Sequence, residues 1–194
     1  MSNELFQGEF VNSNRILYTP SEFARTNLFY LQEAGHLQAR KPHISKRQNL
    51  MSYLFFYLTD GSGILNDGGK EYTLNQSDCV FINCQTPYFH QSSEDLWSLN
   101  WIHFYGPTIH SIYLKYTERG GQPVFHPADL AAFDSLWQDL YHIASSSAVL
   151  KDMKINEYLF SLLTLVMEQS WNPEAKLLSF KQHSLIDVKE YIDT

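Results

Sequence analysis

The spacing of apolar residues changes once along this chain, near residue 127. Before that point they alternate with polar residues or form short unbroken runs. Alternation belongs to half-buried strands, and short runs rich in aromatic and β-branched residues belong to strands buried on both faces. Leu50–Thr59, reading LMSYLFFYLT, is of the second kind. Asp60-Gly61-Ser62-Gly63 is expected to break it, with a resumption over Ser62–Asn66. Asp67-Gly68-Gly69 predicts a tight hairpin, because two-residue turns need positive φ. Glu71–Leu74 and Cys79–Asn83 flank an Asn75-Gln76-Ser77-Asp78 turn, and Tyr88–Gln91 and Leu96–Tyr105 follow. In the last of these Trp97, Leu99, Trp101, His103 and Tyr105 share one face, with Ile102 and Phe104 on the other. Both faces are bulky, so one is expected to line a barrel interior while part of the other meets helices. Many short strands at this spacing predict a sandwich or barrel.

Beyond Pro127 the period becomes 3.6. Leu130, Phe133, Trp137, Leu140, Tyr141 and Ala144 mark one helical stripe, with Pro127 suited to the first turn and Ser145-Ser146-Ser147 ending it. A second helix is expected over about residues 151–170 and is stopped by Asn172-Pro173. Residues 174–182 read as a linker, and SLIDVKEYIDT begins a third amphipathic helix whose Leu185, Val188 and Ile192 share a face. The expected division is a barrel over 1–126, a helical hairpin over 127–172, and a linker with the start of another helix over 173–194. The class is α+β, mainly β.

At 194 residues the chain is long enough to bury a full core without staples. Its hydrophobic share of 44% excludes a disordered chain. The net charge of −7 gives no overall nucleic-acid footprint. The one basic cluster is Arg40, Lys41, Lys46 and Arg47 around His43, too few charges for more than weak, salt-sensitive phosphate binding. Cys79 and Cys84, the only cysteines, do not make a disulfide framework. No apolar run is long enough to span a bilayer, and the start MSNELFQGEF has no secretory pattern. These features predict a soluble cytoplasmic protein with no membrane contact. Neither a G-x-S-x-G elbow nor a phosphate loop occurs, so no catalytic residue is assigned.

Three stretches in order carry a family resemblance: LQEAGHLQARKPHISKR from Leu31, SYLFFYLTDGSGILNDGGKEYTLNQSDCVFI from Ser52, and, most specifically, WSLNWIHFYGP from Trp97. With the two-helix tail and the ending LIDVKEYIDT, nearly the whole chain resembles the AraC/XylS family of bacterial transcription regulators. Ser77 stands where that family usually has glycine, and Cys84 where proline is common. The resemblance implies a cupin-like double-stranded β-helix, or jelly-roll barrel, that binds a small effector, followed by an α-helical dimerisation hairpin. It also implies DNA binding through a C-terminal helix-turn-helix domain, of which only the first helix begins here.

Trp101 matches an effector-contacting tryptophan, and an indole can stack on the apolar face of a pyranose; the alternative is core packing. Arg47 matches a ligand-contacting arginine whose fork suits hydroxyl pairs or a carboxylate; the alternative is a surface charge. His103 projects to the same side as Trp101, and His90 lies in TPYFHQ, another stretch similar to the family; each is a ligand contact or a satisfied core histidine. Leu99 occupies a slot that can be polar in the family, and Phe10 is placed on an arm able to close the mouth. The expected partner is therefore a small polar effector, a sugar or sugar derivative, with no cofactor. A metal cupin needs His-x-His and a nearby carboxylate; no His-x-His occurs, so no metal is assigned. A metal-dependent cupin isomerase or dioxygenase and a pocketless dimerisation scaffold are the competing readings. The second helix has more apolar surface than one stripe needs, which predicts a homodimer through Tyr158, Leu159, Leu162, Leu163, Val166 and Met167.

Overall fold

A computed structural model describes residues 6, 7 and 9–169. Nine strands form one antiparallel sheet. They are β1 (Phe6–Gln7), β2 (Val11–Leu17), β3 (Tyr30–Ala39), β4 (Ile44–Arg47), β5 (Tyr53–Asp67), β6 (Lys70–Leu74), β7 (Cys79–Asn83), β8 (Tyr88–Tyr105) and β9 (Val124–Phe125). Four helices accompany them: α1 (Glu22–Asn27), α2 (Ile109–Glu118), α3 (Leu130–Ser145) and α4 (Lys151–Gln169). The main path runs β1-β2-β3-β8-β5-β7-β9, with β4 on β8 and β6 on β5. This is the barrel followed by a helical hairpin that the change of period predicts. Expectations over 172–194, including the linker and the third helix, fall outside the described residues.

The long strands β5 and β8 shape the barrel. They pair in three segments, Tyr53–Leu58 against Leu99–Phe104, Asp60–Gly61 against Trp97–Ser98, and Gly63–Asp67 against Tyr88–Ser92. The register slips on either side of Asp60–Gly61, so both strands bend there and serve both halves. The Asp60–Gly63 segment therefore bends the strand instead of ending it, and the expected gap before Leu96 is continuous strand. Gly61 has φ +77° and faces Leu96, itself at +58°. A Cβ on Gly61 would lie 1.9 Å from the Leu96 carbonyl oxygen, so only glycine permits the crossing. The Asp67-Gly68-Gly69 hairpin forms as expected, with both glycines at positive φ. Ser77 adopts φ +72°, the left-handed backbone for which the family's usual glycine is suited.

Alternation along β5 divides two cores. Leu54, Phe56 and Leu58 point into the barrel with Val80, Ile82, Trp97 and Leu99. Tyr53, Phe55 and Tyr57 point out, to a second core shared with Ile102, Phe104 and the helices. Tyr53–Leu58 is thus buried on both faces because it is the wall between two cores, whereas Leu50–Ser52, expected in the same strand, precede it and leave Met51 60% accessible. Tyr105 departs from its expected face: at the strand end its ring lies 6.1 Å from Tyr30 and 6.4 Å from Tyr53, at the edge of the helix-side core. Helix α2 contradicts the all-strand reading before residue 127; Ile109, Ile112, Tyr113 and Tyr116 had helical spacing, and the two tyrosines pack on Phe81. Helix α3 begins after Pro127, where Asp129 accepts from the Ala131 and Ala132 amides at 3.0 and 3.3 Å.

Helices α3 and α4 cover the outer face of β3, β5 and β8. Phe133 stacks on Phe55, with ring centroids 5.5 Å apart. Asn156 accepts from the Phe29 amide at 2.9 Å, and Tyr18 donates to Asp152 at 2.6 Å. Trp137 Nε1 donates to the Trp101 carbonyl at 3.2 Å. A chain of side-chain bonds crosses the same interface. His36 Nδ1 donates to Asn100 Oδ1 at 2.7 Å, Asn100 Nδ2 to the Tyr57 hydroxyl at 2.6 Å, and Tyr57 to Asp134 Oδ1 at 2.6 Å.

Helix α4 spends the apolar surplus that predicted a dimer. Leu159, Leu162, Leu163 and Val166 are buried in the helix-side core, and Tyr158 and Met167 pack at its edge. The four buried residues have no surface left for a second copy, because β3 and α3 cover them. The apolar residues that α4 does expose are Met153 and Phe160, 50% and 56% accessible.

Candidate functional site

The barrel holds a cavity of about 190 Å³. Period-two alternation selects its wall. Strand β2 contributes Val11, Ser13 and Arg15; β3 contributes Glu33 and Leu37; the β4 segment contributes His43, Ser45 and Arg47. From β5 come Leu54 and Phe56, and from β8 come His90, Leu99, Trp101 and His103. Five of the six expected ligand residues, Arg47, His90, Leu99, Trp101 and His103, therefore meet here.

Phe10 does not line the cavity. It is 55% accessible, its carbonyl accepts from the Arg40 amide at 2.8 Å, and Lys41 Nζ sits 5.4 Å from its ring. The next residue, Val11, is the one that faces inward, because the arm enters the sheet as β2 and alternation turns Phe10 out. The basic cluster divides in the same way. Arg40, Lys41 and Lys46 are exposed away from the cavity, whereas His43 and Arg47 line it.

Trp101 pairs with Gly35 across β3 and β8. A Cβ on Gly35 would fall 2.3 Å from Trp101 Cη2 and 2.5 Å from the Asn14 carbonyl oxygen, so the indole lies across bare backbone. Leu99, Leu54, Phe56 and Leu37 make the floor apolar. His90 is buried among Phe56, Trp97 and Tyr88, at ring distances of 5.1, 5.5 and 6.3 Å. Its Nδ1 has no hydrogen-bond partner, and neither has His43 Nδ1. Burial pulls His90 down to about 3 and His103 to about 4, with Arg47 adding to both shifts, and burial also lowers His43. All three imidazoles are neutral at neutral pH.

Sequence reasoning missed Arg15 and Glu33, which form the charged part of the wall. Arg15 Nε donates to Glu33 Oε2 at 2.7 Å and its Nη2 reaches the same oxygen. Glu33 Oε1 lies 3.7 Å from His103 Nε2, while His103 Nδ1 lies 2.9 Å from Ser52 Oγ. Nothing in VNSNRIL marks Arg15 as inward, since that strand lacks apolar alternation. Only its pairing with β3 shows that it faces Glu33. No three His, Cys, Asp or Glu side chains among the described residues converge on a position that could hold a metal ion.

A family model, the AraC-like ligand binding domain, matches residues 28–163. The chain belongs to this family. The match of this AraC-like domain runs from the end of the β2–β3 connection into α4 and takes in every inward residue of β3, β4, β5 and β8; Val11, Ser13 and Arg15 precede it. No curated protein matches the sequence. Among solved structures the domain is similar to the plu4264 protein from Photorhabdus luminescens at 14% identity, covering 61% of this chain and 93% of that one with a TM-score of 0.38. It is also similar to KdgF from Halomonas sp., at 12% identity over 50% of this chain and 80% of that one, TM-score 0.38. A cupin 2 conserved barrel domain protein from Leptotrichia buccalis gives 17% identity over 50% and 42% of the two chains, TM-score 0.39. No helix among the described residues is long and apolar enough to cross a membrane.

Proposed function

We propose that this AraC-like domain is the effector-sensing and dimerisation module of a transcription regulator, holding a small polar ligand, a sugar or sugar derivative, without acting on it chemically. The observation that carries the reading is the convergence of Trp101, Arg47, His90 and His103 on one cavity of about 190 Å³. That is smaller than the roughly 300–1,000 Å³ of drug-sized pockets and suits a monosaccharide. The Trp101 ring offers a stacking face, and the partnerless His90 and His43 nitrogens offer hydrogen bonds to hydroxyls. DNA contact falls to a C-terminal domain, because this acidic module offers phosphates little. Two buried free thiols, Cys79 and Cys84, suit a reducing cytoplasm.

A thermal-shift screen over sugars, sugar alcohols and their derivatives tests the sensing role. A ligand at 100 times its dissociation constant stabilises the fold by about 2.7 kcal/mol, or roughly 5–11 °C for a chain of this size. Trp101→Ala should abolish the shift. A melting temperature unmoved by every member of the panel sinks the reading. Dimerisation is assigned to the exposed stripe of α4, where Phe160 and Met153 stand out among polar residues. Phe160→Glu should then sediment as a folded monomer, whereas a monomeric parent at tens of micromolar would remove the assignment.

A further inference from the structure

We propose that the cavity selects an anionic sugar, seating a single carboxylate on Arg47; this rests on the sugar-sensing reading above. The titratable groups of the wall are Arg15, Arg47, Glu33, His43, His90 and His103. Arg15 and Glu33 neutralise each other, since both Nε and Nη2 of Arg15 converge on Glu33 Oε2. The histidines are held neutral by burial and so add no charge. One positive charge is left over. It belongs to Arg47, which makes no ion pair among the described residues.

Arg47 is placed to use that charge on a ligand. It is an exposed wall residue on β4, and its field reaches the interior, where it lowers the pKa of both His90 and His103. A planar guanidinium binds a carboxylate through two parallel N–H···O bonds, a geometry that a single hydroxyl cannot fill. The same wall holds His90, 8% accessible, with Nδ1 unpaired. An unpaired buried polar atom is costly, so a ligand hydroxyl there recovers a bond that the chain does not make. An apolar floor and the Trp101 face complete a site with one charged end and one stacking side. The single excess charge matches a monoanion. A dianionic phosphate would leave one negative charge uncompensated beside Glu33 and needs more room.

Calorimetric titration of the 194-residue chain with matched sets tests this: glucose, glucuronate and glucose 6-phosphate, and the same three forms of galactose and mannose. In at least one set the uronate should bind about tenfold or more tightly than its neutral parent and the phosphate. Arg47→Gln should remove that preference, Lys46→Gln, exposed away from the cavity, should leave it intact, and Glu33→Gln should keep or widen it. The proposal is overturned by a neutral sugar that binds as well as its acid, by a phosphate that binds better, or by a preference that survives Arg47→Gln. Each of those results leaves the sugar-sensing reading standing. Absence of binding across all sets overturns both.

Discussion

Tyr57→Phe isolates the polar chain that ties the barrel to the helical hairpin. The substitution deletes one oxygen and keeps the ring, so no cavity opens in the core around Phe55 and Phe133. The lost hydroxyl donates to Asp134 and accepts from Asn100, each at 2.6 Å. Asn100 is 5% accessible, so its amide group is left buried without that partner. An unsatisfied buried donor costs about 1–3 kcal/mol. Asp134 suffers less, being half-buried and still accepting from Gln138 at 2.6 Å. The expected loss is about 2 kcal/mol, or a fall of about 4–8 °C in melting temperature for a chain of this size. Urea unfolding at neutral pH provides the assay. The midpoint should drop with an unchanged m value, since the surface exposed on unfolding is the same. Tyr72→Phe, on the outer strand β6, serves as the control and should stay within about 0.5 kcal/mol of the parent. Refutation would be a Tyr57→Phe protein as stable as that control, which would show that this polar chain does not help hold α3 against the sheet.

Three further outcomes follow from the same geometry. His90 and His103, with folded-state pKa near 3 and 4 against an ordinary 6.5, take up protons only on unfolding; stability is complete above pH 6.5 and falls as pH drops below it, by about 2 kcal/mol from each at pH 5. Urea midpoints at pH 7, 6 and 5 check this, and a flat profile would contradict the burial of both rings. Leu163→Glu places a charge on a residue 2% accessible within the helix-side core, so it should unfold the hairpin and cost several kcal/mol by circular dichroism melts; a folded monomer would restore Leu163 to the dimer seam. Gly35→Ala forces a methyl against Trp101 and the Asn14 carbonyl, at a cost of about 1–3 kcal/mol. It should weaken ligand binding along with stability, and unaltered binding would show that Trp101 does not need Gly35 beneath it.

What the sequence determined by itself was everything written in local periodicity. The change from period two to 3.6 near residue 127 is a property of neighbouring residues, and the barrel and hairpin follow it. The double burial of Tyr53–Leu58, the Gly68-Gly69 turn and the shared face of Leu99, Trp101 and His103 were legible for the same reason. Tertiary structure decided what depends on partners distant in the chain. Arg15 and Glu33 meet only because β2 lies beside β3, 18 residues apart in sequence. Asp60–Gly63 bends a strand instead of ending it because Leu96, from another strand, passes over Gly61. Phe10 turns out and Val11 turns in because the arm joins a sheet whose alternation is fixed by its neighbour. The apolar excess of α4 has one reading in a helical wheel and another in the fold. Periodicity counts apolar residues, but only packing shows that β3 and α3 cover Leu159, Leu162, Leu163 and Val166 and leave Phe160 and Met153 outside.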